Sequence, residues 1–83
     1  MNEQLNVRVI SPEKVIWEGM AHSVSSKNVD GPFDVLPEHA NFITIIYKEP
    51  IVIRSIDKKL ITYTFDQSVL YTHNSDVRIY TTI

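Results

Sequence analysis

Six consecutive β-branched or aromatic residues, Phe42-Ile43-Thr44-Ile45-Ile46-Tyr47, stand in a chain whose other apolar runs are just as rich in Val, Ile and aromatics and are each closed by turn-forming residues. Such side chains fit a pleated surface better than a helix, so the pattern demands strands. Leu5, Val7 and Val9 alternate with Asn6 and Arg8, a period of two that puts one face inward. Ser11-Pro12-Glu13-Lys14 is a type I turn in which proline presets φ and Ser11 accepts a local hydrogen bond. Val15-Ile16-Trp17 is read as a second short strand ended near Glu18-Gly19, where glycine permits a bulge or a positive φ. Met20 to Lys27 follows as a separate strand, with Met20, His22, Val24 and Ser26 on one face, up to the turn Asn28-Val29-Asp30-Gly31.

Phe33-Asp34-Val35 is a small strand stopped at Leu36-Pro37. The unbroken apolar character of Phe42 to Tyr47 predicts a strand buried on both sides. Ile51 to Arg54, Leu60 to Phe65, Val69 to His73 and Val77 to Thr81 complete the series, separated by Asp57-Lys58-Lys59, Asp66-Gln67-Ser68 and Asn74-Ser75-Asp76. No stretch has helical periodicity. Short strands at roughly 8–12-residue spacing indicate a sandwich or barrel. The expected fold is all-β, a two-sheet antiparallel β-sandwich of about ten short strands in one domain spanning residues 1–83.

The 83 residues suffice for one small core. A chain of this size buries only about 60–65% of its unfolded surface, so its stability is modest unless a partner covers more of it. Without cysteine it has neither disulfides nor thiolate metal sites, and an ordinary reducing compartment is the default. The net charge is −2 and the eight Lys and Arg residues are scattered, so no stripe tracks a phosphate backbone and nucleic acid is not an expected partner. Met1-Asn2-Glu3-Gln4 is unlike a signal peptide, and no apolar run approaches the length of a bilayer crossing, so no membrane insertion is expected.

Catalytic constellations are weak. His22, His39 and His73 lie in separate segments without metal-ligand spacing, so no metal site is expected. Ser68, His73 and Asp76 include the residue types of a nucleophilic triad, but on one hairpin and with no strained nucleophile turn. There is no glycine-rich phosphate loop. No catalytic residue and no cofactor are expected.

The ordered segment Asp30-Gly31-Pro32-Phe33-Asp34-Val35-Leu36-Pro37-Glu38-His39-Ala40, followed by a further apolar run, is the most specific feature. Together with Ser11-Pro12-Glu13 and Val15-Ile16-Trp17-Glu18-Gly19, it resembles the N-terminal β-sandwich domain of the epsilon subunit of F-type ATP synthases. The likeness runs from Leu5 to Ile79. Glu38 stands where that family usually has glycine, Glu49-Pro50 replaces a Pro-Gly turn, and Gln67-Ser68 replaces a Gly-Gly pair.

The resemblance implies a non-catalytic rotor part on the central stalk, clamped to the gamma subunit and resting on the c ring, which couples ion translocation to ATP synthesis. It also implies a location on the cytoplasmic face of the bacterial inner membrane. The residues it assigns to the c-ring end are Asp30, Gly31, Pro32, Phe33, Asp34 and His39, with Pro32 and Phe33 giving apolar contact and Asp30 and Asp34 charge. The helical hairpin that regulates hydrolysis in most family members has no counterpart after Ile79.

Other readings stay open. By strand period Phe33 is as much a core position as an interface anchor; His39 suits a local backbone hydrogen bond as well as a partner contact; Trp17 suits core as well as hot spot. A small ligand- or carbohydrate-binding sandwich would use Tyr47, Tyr63, Tyr71 and Tyr80 as a clustered stacking platform, and a hydrolase fragment would bring Asp34 and Asp66 together.

Overall fold

A computed structural model describes residues 4–38 and 41–82. The described residues contain no helix and form eight strands: β1 Leu5–Ile10, β2 Val15–Asn28, β3 Gly31–Val35, β4 Phe42–Ile46, β5 Pro50–Ser55, β6 Leu60–Thr64, β7 Ser68–His73 and β8 Asp76–Thr81. Hydrogen bonds link them in the order β4-β7-β8-β1-β2-β5-β6, with β3 also on β2. All pairings are antiparallel except β1 with β8, which is parallel, so the sheet is mixed rather than purely antiparallel as expected.

The strand that makes a sandwich out of this ladder is β2. Its first half, Val15 to Ala21, pairs with β1 and completes one layer, β4-β7-β8-β1-β2. Its second half pairs with β3 and β5 and builds the other layer, β3-β2-β5-β6. The sequence pattern predicts two strands here, Val15-Ile16-Trp17 and Met20 to Lys27, and the structure joins them. A straight strand of 14 residues would run about 45 Å at about 3.3 Å per residue. The longest dimension of the molecule is 35 Å, so β2 has to bend. It does so where the register slips, opposite Val9/Ile10 on β1 and between Ala21 and Ser23 on its β5 side.

That slip also corrects the expected face. Ala21 and Ser23 point inward, and after the bulge Val24 does too, so His22 and Met20 do not share its face. Gly19 is likewise no bulge or positive-φ position. A Cβ there would lie 2.8 and 2.9 Å from the Trp17 indole, so glycine makes room for the ring. Among the described residues, positive φ occurs at turns and at the first residue of β3: Gly31, Glu38, Lys48, Lys58, Asn74 and Ser75.

The core lies between the layers. Leu5, Val7, Val9, Leu70, Val77 and Ile79 come from one side and Val24, Val35, Ile51 and Ile53 from the other, all at most 1% exposed. Trp17, Phe33, Phe42, Ile61, Tyr63 and Phe65 pack around them. The local hydrogen bonds expected of Ser11 form, its Oγ accepting from the Glu13 and Lys14 amides at 3.3 and 3.1 Å, and Asn74-Ser75, both at positive φ, make the expected hairpin loop, with two residues between His73 and Asp76.

Candidate functional site

The run Phe42 to Tyr47 departs most from its expectation. It forms the edge strand β4, and only one of its faces is covered: Phe42, Thr44 and Ile46 turn toward the core while Ile43 and Ile45 are 66% and 43% exposed. An unbroken β-branched run cannot tell which face meets water, because the period-two signal is absent.

Strand register extends this exposed face across the whole five-stranded layer. Ile45 lies opposite Val69, Val69 opposite Tyr80, Tyr80 opposite Ile10 and Ile10 opposite Val15. These five side chains form one apolar row on the outward surface, with Val15 48% and Tyr80 40% exposed. The neighbouring row runs Ile43, Tyr71, Arg78, Arg8, Glu18 and is half charged. Within it Arg8 pairs with Glu18 at 3.1 Å, and Arg78 reaches Asp76 at 3.4 Å. The Tyr80 hydroxyl, and then Asp76, push Arg78 above its ordinary value.

The outward surface of the other layer is different. Arg54 donates to Ser25 Oγ at 2.9 Å, Ser25 donates to Asp34, and Lys27, Thr62 and Thr64 stand around them. Water is a good partner for that face, whereas the Ile45–Val15 row leaves large apolar side chains uncovered.

At the margin of the apolar surface sits the β2–β3 hairpin. Its turn residues Val29 and Asp30 are followed by Gly31 at φ 119°, a value that favours glycine, and the Asp30 amide donates to Asn28 Oδ1 at 2.9 Å. Asn28 Nδ2 in turn donates to Thr44 Oγ1 at 2.9 Å, which ties the hairpin to β4. Val29, 87% exposed, then shares a shallow groove with Ile43, Thr44, Ile45, Tyr47 and Val69.

The residues singled out from sequence divide accordingly. Asp30 and Pro32 are exposed at the hairpin, and Gly31 supplies its backbone turn. Phe33 faces inward, half-buried, with its ring edge-on to Phe42 at 5.4 Å and 63°. Asp34 is exposed but held by Ser25. His39 lies outside the described residues. Sequence reasoning missed the apolar row and Val29, and the one available signal was the unexplained length of the β4 apolar run.

The rival constellations do not assemble. Ser68 is buried at one end of β7 and His73 exposed at the other, about 16 Å apart along the strand. Tyr63 stacks on Phe65 at 5.7 Å and packs against the core, so the four tyrosines do not share one face. Asp34 is engaged by Ser25 on β2, while Asp66 follows β6 in a depression with Thr64, Phe65 and Thr81.

Comparison with known proteins agrees with this architecture. Residues 4–82 match the family described as ATP synthase, Delta/Epsilon chain, beta-sandwich domain. The ATP synthase epsilon chain of Micrococcus luteus is 34% identical over 59 residues, covering 71% of this chain and 65% of that protein. In fold, the chain is similar to part of the Euglena gracilis mitochondrial ATP synthase OSCP/F1/c-ring structure, with a TM-score of 0.90 at 13% identity over 100% of this chain and 53% of the other. It is also similar to a chain of the Tetrahymena thermophila mitochondrial ATP synthase central stalk and c-ring, with a TM-score of 0.79 at 11% identity over 99% and 66%. This chain thus spans between about half and two thirds of the length of these relatives. With a mixed β-sandwich that matches the family domain from residue 4 to residue 82, the chain belongs to the delta/epsilon family of ATP synthase subunits.

Proposed function

We propose that this chain works as a non-catalytic rotor element of an F-type ATP synthase. It binds the gamma subunit through the outward face of the five-stranded layer and meets the c-ring loops with the β2–β3 hairpin, coupling ion translocation to ATP synthesis at the membrane face that carries the catalytic head. The observation that carries the reading is the apolar row Ile45–Val69–Tyr80–Ile10–Val15, in a family whose Micrococcus luteus relative is an ATP synthase epsilon chain. A rotor joint needs a surface with little to reorder on binding, and a sheet face meets that need because its side chains are already fixed by cross-strand neighbours. The Arg8–Glu18 and Asp76–Arg78 pairs at its border give register and specificity more than affinity. The ring-facing group comprises Asp30, Gly31, Pro32, Phe33 and Asp34 at the hairpin, with Asp30 and Pro32 exposed and Phe33 bracing the strand from within, together with His39, which lies outside the described residues.

Titration of gamma from the same organism with the 83-residue chain tests this. Tyr80→Ala, at the centre of the row, should weaken binding by about 30-fold or more, and Ile45→Glu, which puts a charge at its end, by about tenfold or more, with thermal unfolding unchanged. Undiminished gamma binding by folded Ile45→Glu would exclude this face as the docking surface.

A further inference from the structure

The edge of the four-stranded layer carries a feature that the rotor reading does not use. Among the described residues, strand β6 pairs with β5 alone. The Pro50 carbonyl points toward β2, where Ser26 donates to it at 2.9 Å, while the Ser55 amide bonds Lys59 O on the β6 side at 2.9 Å. Peptide groups alternate in direction along a strand, so Ile51 and Ile53 share the direction of Ser55 and bond to their partners Tyr63 and Ile61. The N–H and C=O groups of Leu60, Thr62 and Thr64 therefore point away from β5, out of the sheet edge. No proline or bulge interrupts this edge, and the side chains of Leu60, Thr62 and Thr64 are exposed, Leu60 by 68%. Edges of this kind template pairing with another strand.

We propose that this edge pairs with itself, joining two copies of the chain through antiparallel β6 strands related by a two-fold axis at Thr62. In that register Thr62 faces Thr62 of the second copy and Leu60 faces Thr64, each pair exchanging N–H···O=C bonds in both directions. Antiparallel pairing also brings the turn before β6, which carries the exposed Lys58, near the bend after β6 of the second copy, which carries Asp66, twice by symmetry. A strand that meets itself with opposite charges at its two ends is self-complementary, which singles out a second copy as the occupant. The contact closes on itself because pairing consumes the free edge of both copies. It leaves the outward face of the five-stranded layer open. An edge of five residues buries far less than the roughly 1,600 Å² of a standard interface, so the association is weak.

Sedimentation equilibrium of the 83-residue chain from about 1 µM to about 1 mM spans the weak-binding range. Wild type should show a monomer–dimer equilibrium. Thr62→Pro removes the outward N–H without touching a bond to β5, a position proline tolerates at an edge, and should remain monomeric with unchanged circular dichroism. Lys58→Asp should raise Kd at least tenfold, and adding Asp66→Lys should restore it. A wild-type chain monomeric up to 1 mM would overturn the proposal, as would a folded Thr62→Pro that dimerises like wild type. Should Thr62→Pro fail to fold, the charge exchange decides, and a dimer insensitive to Lys58→Asp refutes pairing at this edge.

Discussion

The backbone amide of Glu38 donates a 2.8 Å hydrogen bond to the side-chain hydroxyl of Ser75, 37 residues away. Ser75 sits in the β7–β8 turn, and its own carbonyl accepts from the Asn6 amide at 2.9 Å. One buried serine thus joins the loop after β3, the last hairpin and the start of β1. Glu38 holds φ at 63° to make the bond, where the resembling family usually has glycine. Its left-handed backbone costs about 1–2 kcal/mol for a residue with a Cβ, partly offset by the smaller chain entropy it loses on folding. Glu38→Gly should therefore stabilise the domain by about 0.5–1 kcal/mol, and Ser75→Ala should destabilise it by about 1–2 kcal/mol by leaving the amide unpaired. Urea denaturation midpoints check both.

Gly19→Ala should cost about 1–3 kcal/mol, because the added methyl would stand 2.8 Å from the Trp17 ring. In a Trp17→Phe background the smaller ring should relieve most of that cost. Additive losses in the double mutant would show that Gly19 answers to something other than Trp17.

Ser68 is 1% exposed and its hydroxyl has no hydrogen-bond partner among the described residues. Removing such a group discards a desolvation penalty and no bond, so Ser68→Ala should be neutral or stabilising by up to about 1 kcal/mol in chemical denaturation.

Phe33→Asp should lower the thermal midpoint sharply or abolish expression, since it puts a carboxylate against Phe42 at the margin of the core. Pro32→Ala and Asp30→Lys, both at exposed positions, should leave the midpoint within a few degrees of wild type while reducing ATP-driven ion pumping in the assembled enzyme. That contrast separates bracing from contact within one hairpin.

The Ser55 hydroxyl, and more weakly Lys59, hold the Asp57 carboxyl below its usual range. A lowered folded-state value contributes stability above the unfolded pKa of about 3.9, and loses it as pH falls through the folded one. Asp57→Asn should lower stability slightly at neutral pH and flatten the acid limb of the stability–pH curve below about pH 4, so that the two curves converge in acid, as followed by denaturation in a pH series.

Strand positions, turn chemistry and the sandwich were legible because alternation and turn residues are local signals. The Ser11 turn and the Asn74-Ser75 hairpin follow directly from such chemistry. What escaped were properties set by neighbours. Glu18-Gly19 looked like a strand end, yet the glycine is there for an indole two residues away on the same face. The Phe42–Tyr47 run looked doubly buried, yet only the strand order places it at an edge with one side uncovered. Phe33 could be core or contact by period alone, and its ring partner Phe42 comes from another strand. The apolar row was out of reach for the same reason, since its members are contiguous only through four separate registers.

Because β2 runs unbroken from the Val15 end of the apolar row to Asn28 at the hairpin, the two proposed contact regions share a single load path. A force applied at the hairpin acts along the strand, where the ladders to β1, β3 and β5 resist in shear, many hydrogen bonds at once. Two shorter strands joined by a loop would flex at the joint and absorb angular displacement. Here the bulges curve the strand without cutting it, so a continuous hydrogen-bonded backbone, with no loop as a hinge, joins the hairpin to the apolar row.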